Sequence, residues 1–242
     1  CHLHVQEAAD LVSDLFDPMQ VPAFKTTNEI TSKQNQQQAK DRALHLTDLD
    51  QRLRDMDRQG IDIQLLIPVP FQAYYAIRND RGHKAIQIIN NTLSKTAEKR
   101  SDRFLALGTL PMQDGDAAAR EMERGIQELG LKGFQVLGTV DGHELSDPIH
   151  DPVWEMAQKH DYSLLVVDVG LPDMSGIETI ERLLKTNAKY KQQPIIALTA
   201  HNDEDYRKNC LSAGFTSYFC KPLTLDAAKE MISAQPSNKD AL

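Results

Sequence analysis

Three residues able to do chemistry each close a short apolar run. Asp168 ends Leu164-Leu-Val-Val-Asp168, Thr199 ends Pro194-Ile-Ile-Ala-Leu-Thr199, and Lys221 follows Tyr218-Phe-Cys. Successive members stand 31 and 22 residues apart. A carboxylate, a hydroxyl and an ammonium offer a nucleophile, a hydrogen-bond donor and a fixed positive charge. Taken singly, each is also an ordinary residue for the end of a strand. At the other end of the chain, His2-Leu3-His4 sets two imidazoles two residues apart. On a strand end that spacing turns both rings to one face, where neutral imidazoles can hold Zn²⁺ and leave a position open for water or substrate. Five other histidines, His45, His83, His143, His150 and His160, fall at helix ends or in loops, where solvent exposure or capping accounts for them.

The elements that must position these residues alternate. Strands are expected over 61–68, 104–110, 132–139, 164–167, 195–199 and 216–219. Helices are expected over 48–59, 85–99, 115–129, 151–160, 175–186, 203–212 and 224–233. Thr47 and Asp50 make a candidate capping box for the first of these helices, and Pro152 sits where a first helical turn tolerates it. Residues 5–47 show no sustained period and include a glutamine-rich polar stretch over 31–40, read as a long loop with at most one helix. Strict βα alternation with short apolar strands implies an α/β fold with a parallel sheet. Such a sheet presents its functional residues at the carboxyl ends of the strands.

Composition narrows the partners. The chain has 242 residues, 40% of them hydrophobic, enough for one large α/β domain or two small ones. A formal charge of -8 argues against nucleic acid, which needs a basic stripe to displace counterions. No apolar run is long enough to span a bilayer and no signal-peptide layout is visible, so the expectation is a soluble, cytoplasmic protein with no membrane partner. Cys1, Cys210 and Cys220 lack any C-x-x-C spacing and read as reduced thiols. A chain that starts at Cys1 instead of methionine suggests that residues before it are missing.

The strings Asp55-Met-Asp-Arg-Gln-Gly-Ile-Asp-Ile-Gln64, Arg103-Phe-Leu-Ala-Leu-Gly-Thr-Leu-Pro-Met-Gln-Asp114 and Glu128-Leu-Gly-Leu-Lys-Gly-Phe-Gln-Val136 run in order along the first part. With Leu145-Ser-Asp-Pro148 and Asp151-Pro-Val-Trp-Glu155 they resemble the amidohydrolase-related family that includes aminocarboxymuconate-semialdehyde decarboxylase. The resemblance implies a (β/α)8 barrel, of which the front half fits residues 1–160. It also implies a divalent metal, commonly Zn²⁺, held by a His-x-His pair after the first strand. His2 and His4 are candidates for that pair. The family's frequent Asp-x-His-x-His leaves a second register open, with His2 paired to a residue before Cys1. Where the family places its next histidine, this chain has Asp168.

From residue 161 the chain resembles something else. Leu164 to Glu178, Pro194 to His201 and Tyr218 to Leu223 look like the receiver domain of response regulators and hybrid sensor kinases, a flavodoxin-like fold. The resemblance makes Asp168 the acceptor of a phosphoryl group from a histidine kinase or phosphotransfer protein. It makes Lys221 the cation on the phosphoryl oxygens, Thr199 the hydroxyl that moves toward them, and Tyr218 the aromatic switch that follows. Pro222 would hold the Lys221 peptide cis. The family's Mg²⁺ is held by an acidic pair about 45 residues before the acceptor, a position that falls at Glu123 inside an expected helix.

The sequence thus predicts a hybrid: a half-barrel segment over 1–160 continuing into the carboxyl-terminal half of a receiver over 161–242, with neither site complete. The alternatives are a phosphoacceptor signalling module centred on Asp168 and, ranked last, a metal-dependent hydrolase or decarboxylase of a small carboxylic acid. The 132–139 strand is expected parallel and adjacent to 164–167. That pairing would bring Asp141, with Glu144, to a Mg²⁺ beside Asp168. The alternative reading of Asp141-Gly142 is a tight turn.

Overall fold

The computed structural model describes residues 2–17, 46–160, 165–169, 176–186, 194–200 and 202–221, with 224, 226, 227 and 230. The expectations for the 31–40 stretch, His45, Cys1 and Pro222, and most of the 224–233 helix, lie outside the described residues. The chain divides into two compact units, Cys1–Leu137 and Gly138–Leu242.

In the first unit β1 (His2–Leu3), β2 (Gln64–Pro68) and β3 (Phe104–Ala106) form a parallel sheet in that order. A second parallel pair joins β4 (Gly108–Thr109) to β5 (Phe134–Gln135). Helix α1 (Gln6–Leu11) follows β1 inside the region read as loop, and its Ala8 is fully buried. Helix α2 (Leu49–Gln59) leads into β2. Its N-cap is Asp48, whose carboxylate accepts the Gln51 N–H, so the start lies one residue past the Thr47 expected from the capping-box pattern. Gly60 ends the helix in the left-handed region at φ 67°, the standard glycine stop.

Helix α3 (Asp80–Lys99) begins five residues earlier than the apolar period predicts, because Asn79 caps it by accepting the N–H groups of Arg81 and Gly82. Its Ala85, Ile89 and Leu93 face the core that Leu66, Phe104 and Ala106 contribute from the sheet. Period-2 alternation leaves Leu65 and Leu105, directly opposite one another on β2 and β3, on the other, more exposed face. Helix α4 (Gly115–Gln127), capped by Asp114, completes the unit. Here Gly125 is a packing requirement. A Cβ on it would meet the Phe134 ring at 2.6 Å.

The second unit opens with an antiparallel hairpin of β6 (Thr139–Val140) and β7 (His143–Glu144). Asp141 and Gly142 form its two-residue turn with φ 50° and 82°, the two positive values that the tightest hairpin turns require. After a 3₁₀ turn over Pro148–His150 comes α5 (Asp151–Lys159), whose Trp154 donates its indole N–H to the Leu145 carbonyl. The main sheet is parallel, with β9 (Ile195–Thr199) at the centre between β8 (Leu165–Asp168) and β10 (Ser217–Cys220). Helices α6 (Gly176–Thr186) and α7 (Glu204–Ala213) supply Ile180, Leu183 and Cys210 to a core shared with Ile195, Ala197 and Phe215.

One expected strand is corrected. The 132–139 stretch is not one continuous strand: its residues 134–135 bond to Gly108–Thr109, and 139–140 turn back into the hairpin. Between the two pieces the Leu137 N–H is held by the Tyr75 hydroxyl, so the ladder stops, and Asp141-Gly142 then reverses the chain. The described partner of β8 is β9. The alternating βα order and the parallel sense of both main sheets stand as expected.

Candidate functional site

The register of the second sheet brings the three strand-end residues to one edge. Asp168 is the last residue of β8 and pairs with Leu198, Thr199 is the last of β9 and pairs with Cys220, and Lys221 follows directly. The Lys221 N–H donates to the Thr199 carbonyl at 2.6 Å, which extends the ladder one residue and fixes where the lysine leaves the sheet. Its ammonium then reaches across β9 to Asp168 Oδ2 at 2.5 Å. Both side chains of the pair keep about two fifths of their surface exposed, at 44% for Asp168 and 41% for Lys221. Solvent can therefore reach the carboxylate, while Thr199, at the end of the neighbouring β9, is fully buried. Tyr218 lies two residues before Cys220 on the same strand. Burial pushes its hydroxyl up to about 12, with the Cys220 thiol adding to the shift.

Asp141 occupies the hairpin turn, and backbone geometry accounts for it there. Glu144, its companion in the sequence argument, forms an ion pair with Arg182, which also holds Glu178 at 2.6 Å. Among the described residues no three histidine, cysteine, aspartate or glutamate side chains form a group that could hold a metal.

In the first unit His2 lies on β1, opposite Ile67, and His4 follows at the strand's carboxyl end. Burial lowers the pKa of both imidazoles, and Asp10 partly opposes this at His4. The segment is held firmly. The Val69 N–H donates to the Leu3 carbonyl, the His4 N–H to the Leu46 carbonyl, and Arg52 Nη2 to the His2 carbonyl at 2.9 Å. Buried Gln72 accepts the Val5 N–H at 2.9 Å and donates to the Val5 carbonyl at 2.8 Å. The sequence reading missed Arg52 and Gln72. Arg52 is a charged residue on a buried helix position, and a lone glutamine in a proline-rich turn carries no periodic signal.

The two units thus resemble two protein classes: parallel βα units like those of an amidohydrolase-type barrel, and strand-end Asp168, Thr199 and Lys221 on a parallel sheet like that of a receiver. Comparison with known proteins gives the same pair. Residues 114–233 match the response regulator receiver domain family, a span that starts well before residue 161. Signal transduction histidine-protein kinase BarA of Escherichia coli (strain K12) is 30% identical over 169 residues, covering 69% of this chain and 16% of that protein. The 2-amino-3-carboxymuconate-6-semialdehyde decarboxylase of Dictyostelium discoideum is 34% identical over 112 residues, covering 46% of this chain and 31% of that protein. Among solved structures, the manganese-bound 5-carboxyvanillate decarboxylase of Novosphingobium aromaticivorans superposes with a TM-score of 0.62 at 24% identity, over 81% of this chain and 63% of that one. That likeness shows the fold. The chain spans about a third of the length of the curated decarboxylase it matches. No helix among the described residues is long and apolar enough to cross a membrane.

Proposed function

We propose that the chain is a hybrid of an amidohydrolase-like decarboxylase segment and a receiver-like segment, and that its strongest chemistry is phosphoryl acceptance by Asp168. The observation that carries this reading is the Lys221–Asp168 contact of 2.5 Å across a strand that ends in Thr199. In the step proposed, one Asp168 carboxylate oxygen forms a bond to phosphorus and the phosphorus–nitrogen bond to the donor imidazole breaks. The nitrogen keeps the electron pair and takes up a proton. Lys221 stays near the new acyl phosphate and offsets its charge, and the Thr199 hydroxyl donates to a phosphoryl oxygen. Tyr218 then reports the change to a partner. A histidine kinase or phosphotransfer protein of the cytoplasm is the donor this chemistry fits.

Mg²⁺, which receivers use, fits the described residues poorly. Asp168 is a single carboxylate already engaged by Lys221, and Asp141 is committed to a turn. Acceptance should therefore be slow for a receiver. The test is labelling of the parent chain with a small-molecule phosphodonor in Mg²⁺, scored as hydroxylamine-labile phosphate. Asp141→Asn should label at the parent rate, since asparagine also tolerates positive φ. A parent that takes no label removes the proposal. A rate that falls tenfold or more in Asp141→Asn would restore Asp141 as a ligand.

A second reading attaches to the first unit, favoured by His2 on β1 with His4 just past its carboxyl end. Two imidazoles on one strand end fit a divalent ion such as Zn²⁺ as a pair, with water in the remaining positions. An ion there would supply Lewis-acid polarisation of a bound carboxylate or water. Two protein ligands hold zinc loosely, so protein purified without added metal should carry well under one zinc per chain by elemental analysis. One tightly bound zinc, lost when His2 and His4 are both replaced by alanine, would contradict the incomplete site and favour a working decarboxylase.

A further inference from the structure

We infer that Gly176 is a positioning residue for Asp168: having no Cβ, it lets the first turn of α6 close against the Asp168 carbonyl and fixes the peptide that carries the acceptor carboxylate. The inference rests on the reading of Asp168 as phosphoryl acceptor and deepens it.

The geometry starts from the last bonds of β8. The Leu165 N–H donates to the Pro194 carbonyl and the Val169 N–H to the Leu198 carbonyl, each at 3.1 Å, so both point toward β9. A trans peptide sets its C=O opposite its N–H, and the carbonyl of the peptide that ends in the Val169 N–H belongs to Asp168. That oxygen therefore points away from β9. There it meets Gly176, where an added Cβ would stand 2.9 Å from the Asp168 oxygen, 2.9 Å from Val169 Cα and 3.1 Å from Val167 Cγ1. Two of these three atoms are backbone and have no rotamer by which to swing aside. The Gly176 N–H closes the approach by donating to the Val169 carbonyl at 3.4 Å.

A side chain at 176 must displace either α6 or the end of β8, and the helix is the better anchored of the two. Its Ile180 and Leu183 are buried in the core with Ile195 and Ala197, while Arg182 pairs with Glu178 and with Glu144 of the hairpin. Asp168 is the terminal residue of its strand. The Asp168 peptide is thus the part that yields, and the carboxylate moves with it relative to Lys221 Nζ, which stands 2.5 Å from Oδ2. Misplacing a reacting group by about 1 Å can cost on the order of 100-fold, and the smaller shift needed here about tenfold. Alanine is otherwise the better helix former, so a slower Gly176→Ala does not reflect a weakened α6.

The experiment labels the full chain with phosphoramidate in Mg²⁺ and scores hydroxylamine-labile phosphate on protein shown to be folded by circular dichroism. Gly176→Ala should lower the rate at saturating donor about tenfold and leave the half-saturating donor concentration unchanged. Adding Lys221→Met separates positioning from a general structural loss. If Gly176 acts by holding Asp168 within reach of Lys221, removing the cation from Gly176→Ala should cost only about tenfold more, against about 100-fold in the parent. Should Gly176→Ala not fold, the same comparison is made in a Val167→Ala background, which removes the Cγ1 contact, with the same ratios expected. A folded Gly176→Ala that labels within threefold of the parent, or whose loss multiplies in full with that of Lys221→Met, would overturn the role of Gly176 and leave Asp168 as acceptor. A parent that takes no label, or one whose label survives Asp168→Asn, would overturn the acceptor reading and the inference together.

Discussion

Asp168→Asn should abolish hydroxylamine-labile labelling, and Lys221→Met should slow it about 100-fold, the scale seen when one preorganised charge-stabilising group is removed from a reacting centre. The reasoning differs for the two. Asparagine has no carboxylate to form an acyl phosphate, so the loss at Asp168 is complete. Methionine fills the space of the Lys221 stem but leaves the phosphoryl oxygens without their cation. The label of each variant is compared with the parent over a time course at fixed phosphodonor concentration. Labelling of Asp168→Asn at the parent rate would move the acceptor elsewhere. A Lys221→Met rate within threefold of the parent would show that the 2.5 Å contact plays no part in transfer.

The second large effect is on stability. Asn90→Ala should destabilise the fold by about 3 kcal/mol, because it strips hydrogen bonds from buried groups that have no access to water. Asn90 is fully buried on α3. It donates to the Thr109 carbonyl at 2.9 Å and to Glu121 Oε1 at 2.6 Å, and its own oxygen accepts the Thr109 N–H at 2.9 Å. The amide thus ties α3 to β4 and α4 at once. Glu121, at 5% exposure, would keep its Arg124 ion pair but lose the Asn90 amide. Urea denaturation of parent and variant gives the difference directly, and a change under 1 kcal/mol would show that the Asn90 bridge is dispensable.

The readable and unreadable parts of the chain separate along physical lines. The placement of Asp168, Thr199 and Lys221 at one sheet edge was legible because apolar runs of three to five residues precede them, and a parallel sheet must deliver such ends to one edge. Helix boundaries were legible where a cap stood next to the apolar period, as with Asp114 and Asp203, each of which accepts a backbone N–H of its own first turn. The 132–139 stretch was misread for an identifiable reason. Its apolar run looks continuous in sequence, but a tertiary contact, the Tyr75 hydroxyl on the Leu137 N–H, interrupts the ladder, and two positive-φ residues then reverse it. Asp141-Gly142 carried that turn signal openly. The clamps around His2 and His4 were not legible at all, since Gln72 is 67 residues from Val5 and Arg52 is 50 from His2. Pairings of that separation are set by the fold, with no trace in local pattern.

Borohydride trapping tests the central claim most directly. The parent chain is labelled with a small-molecule phosphodonor in Mg²⁺, reduced so that an aspartyl phosphate becomes a stable altered side chain, and digested for peptide mass mapping. The account predicts one modified position, Asp168, with the modification absent from Asp168→Asn and strongly reduced in Lys221→Met. Modification at another carboxylate, or none at Asp168 after an incubation at least a hundredfold longer than an intact receiver needs, would contradict it.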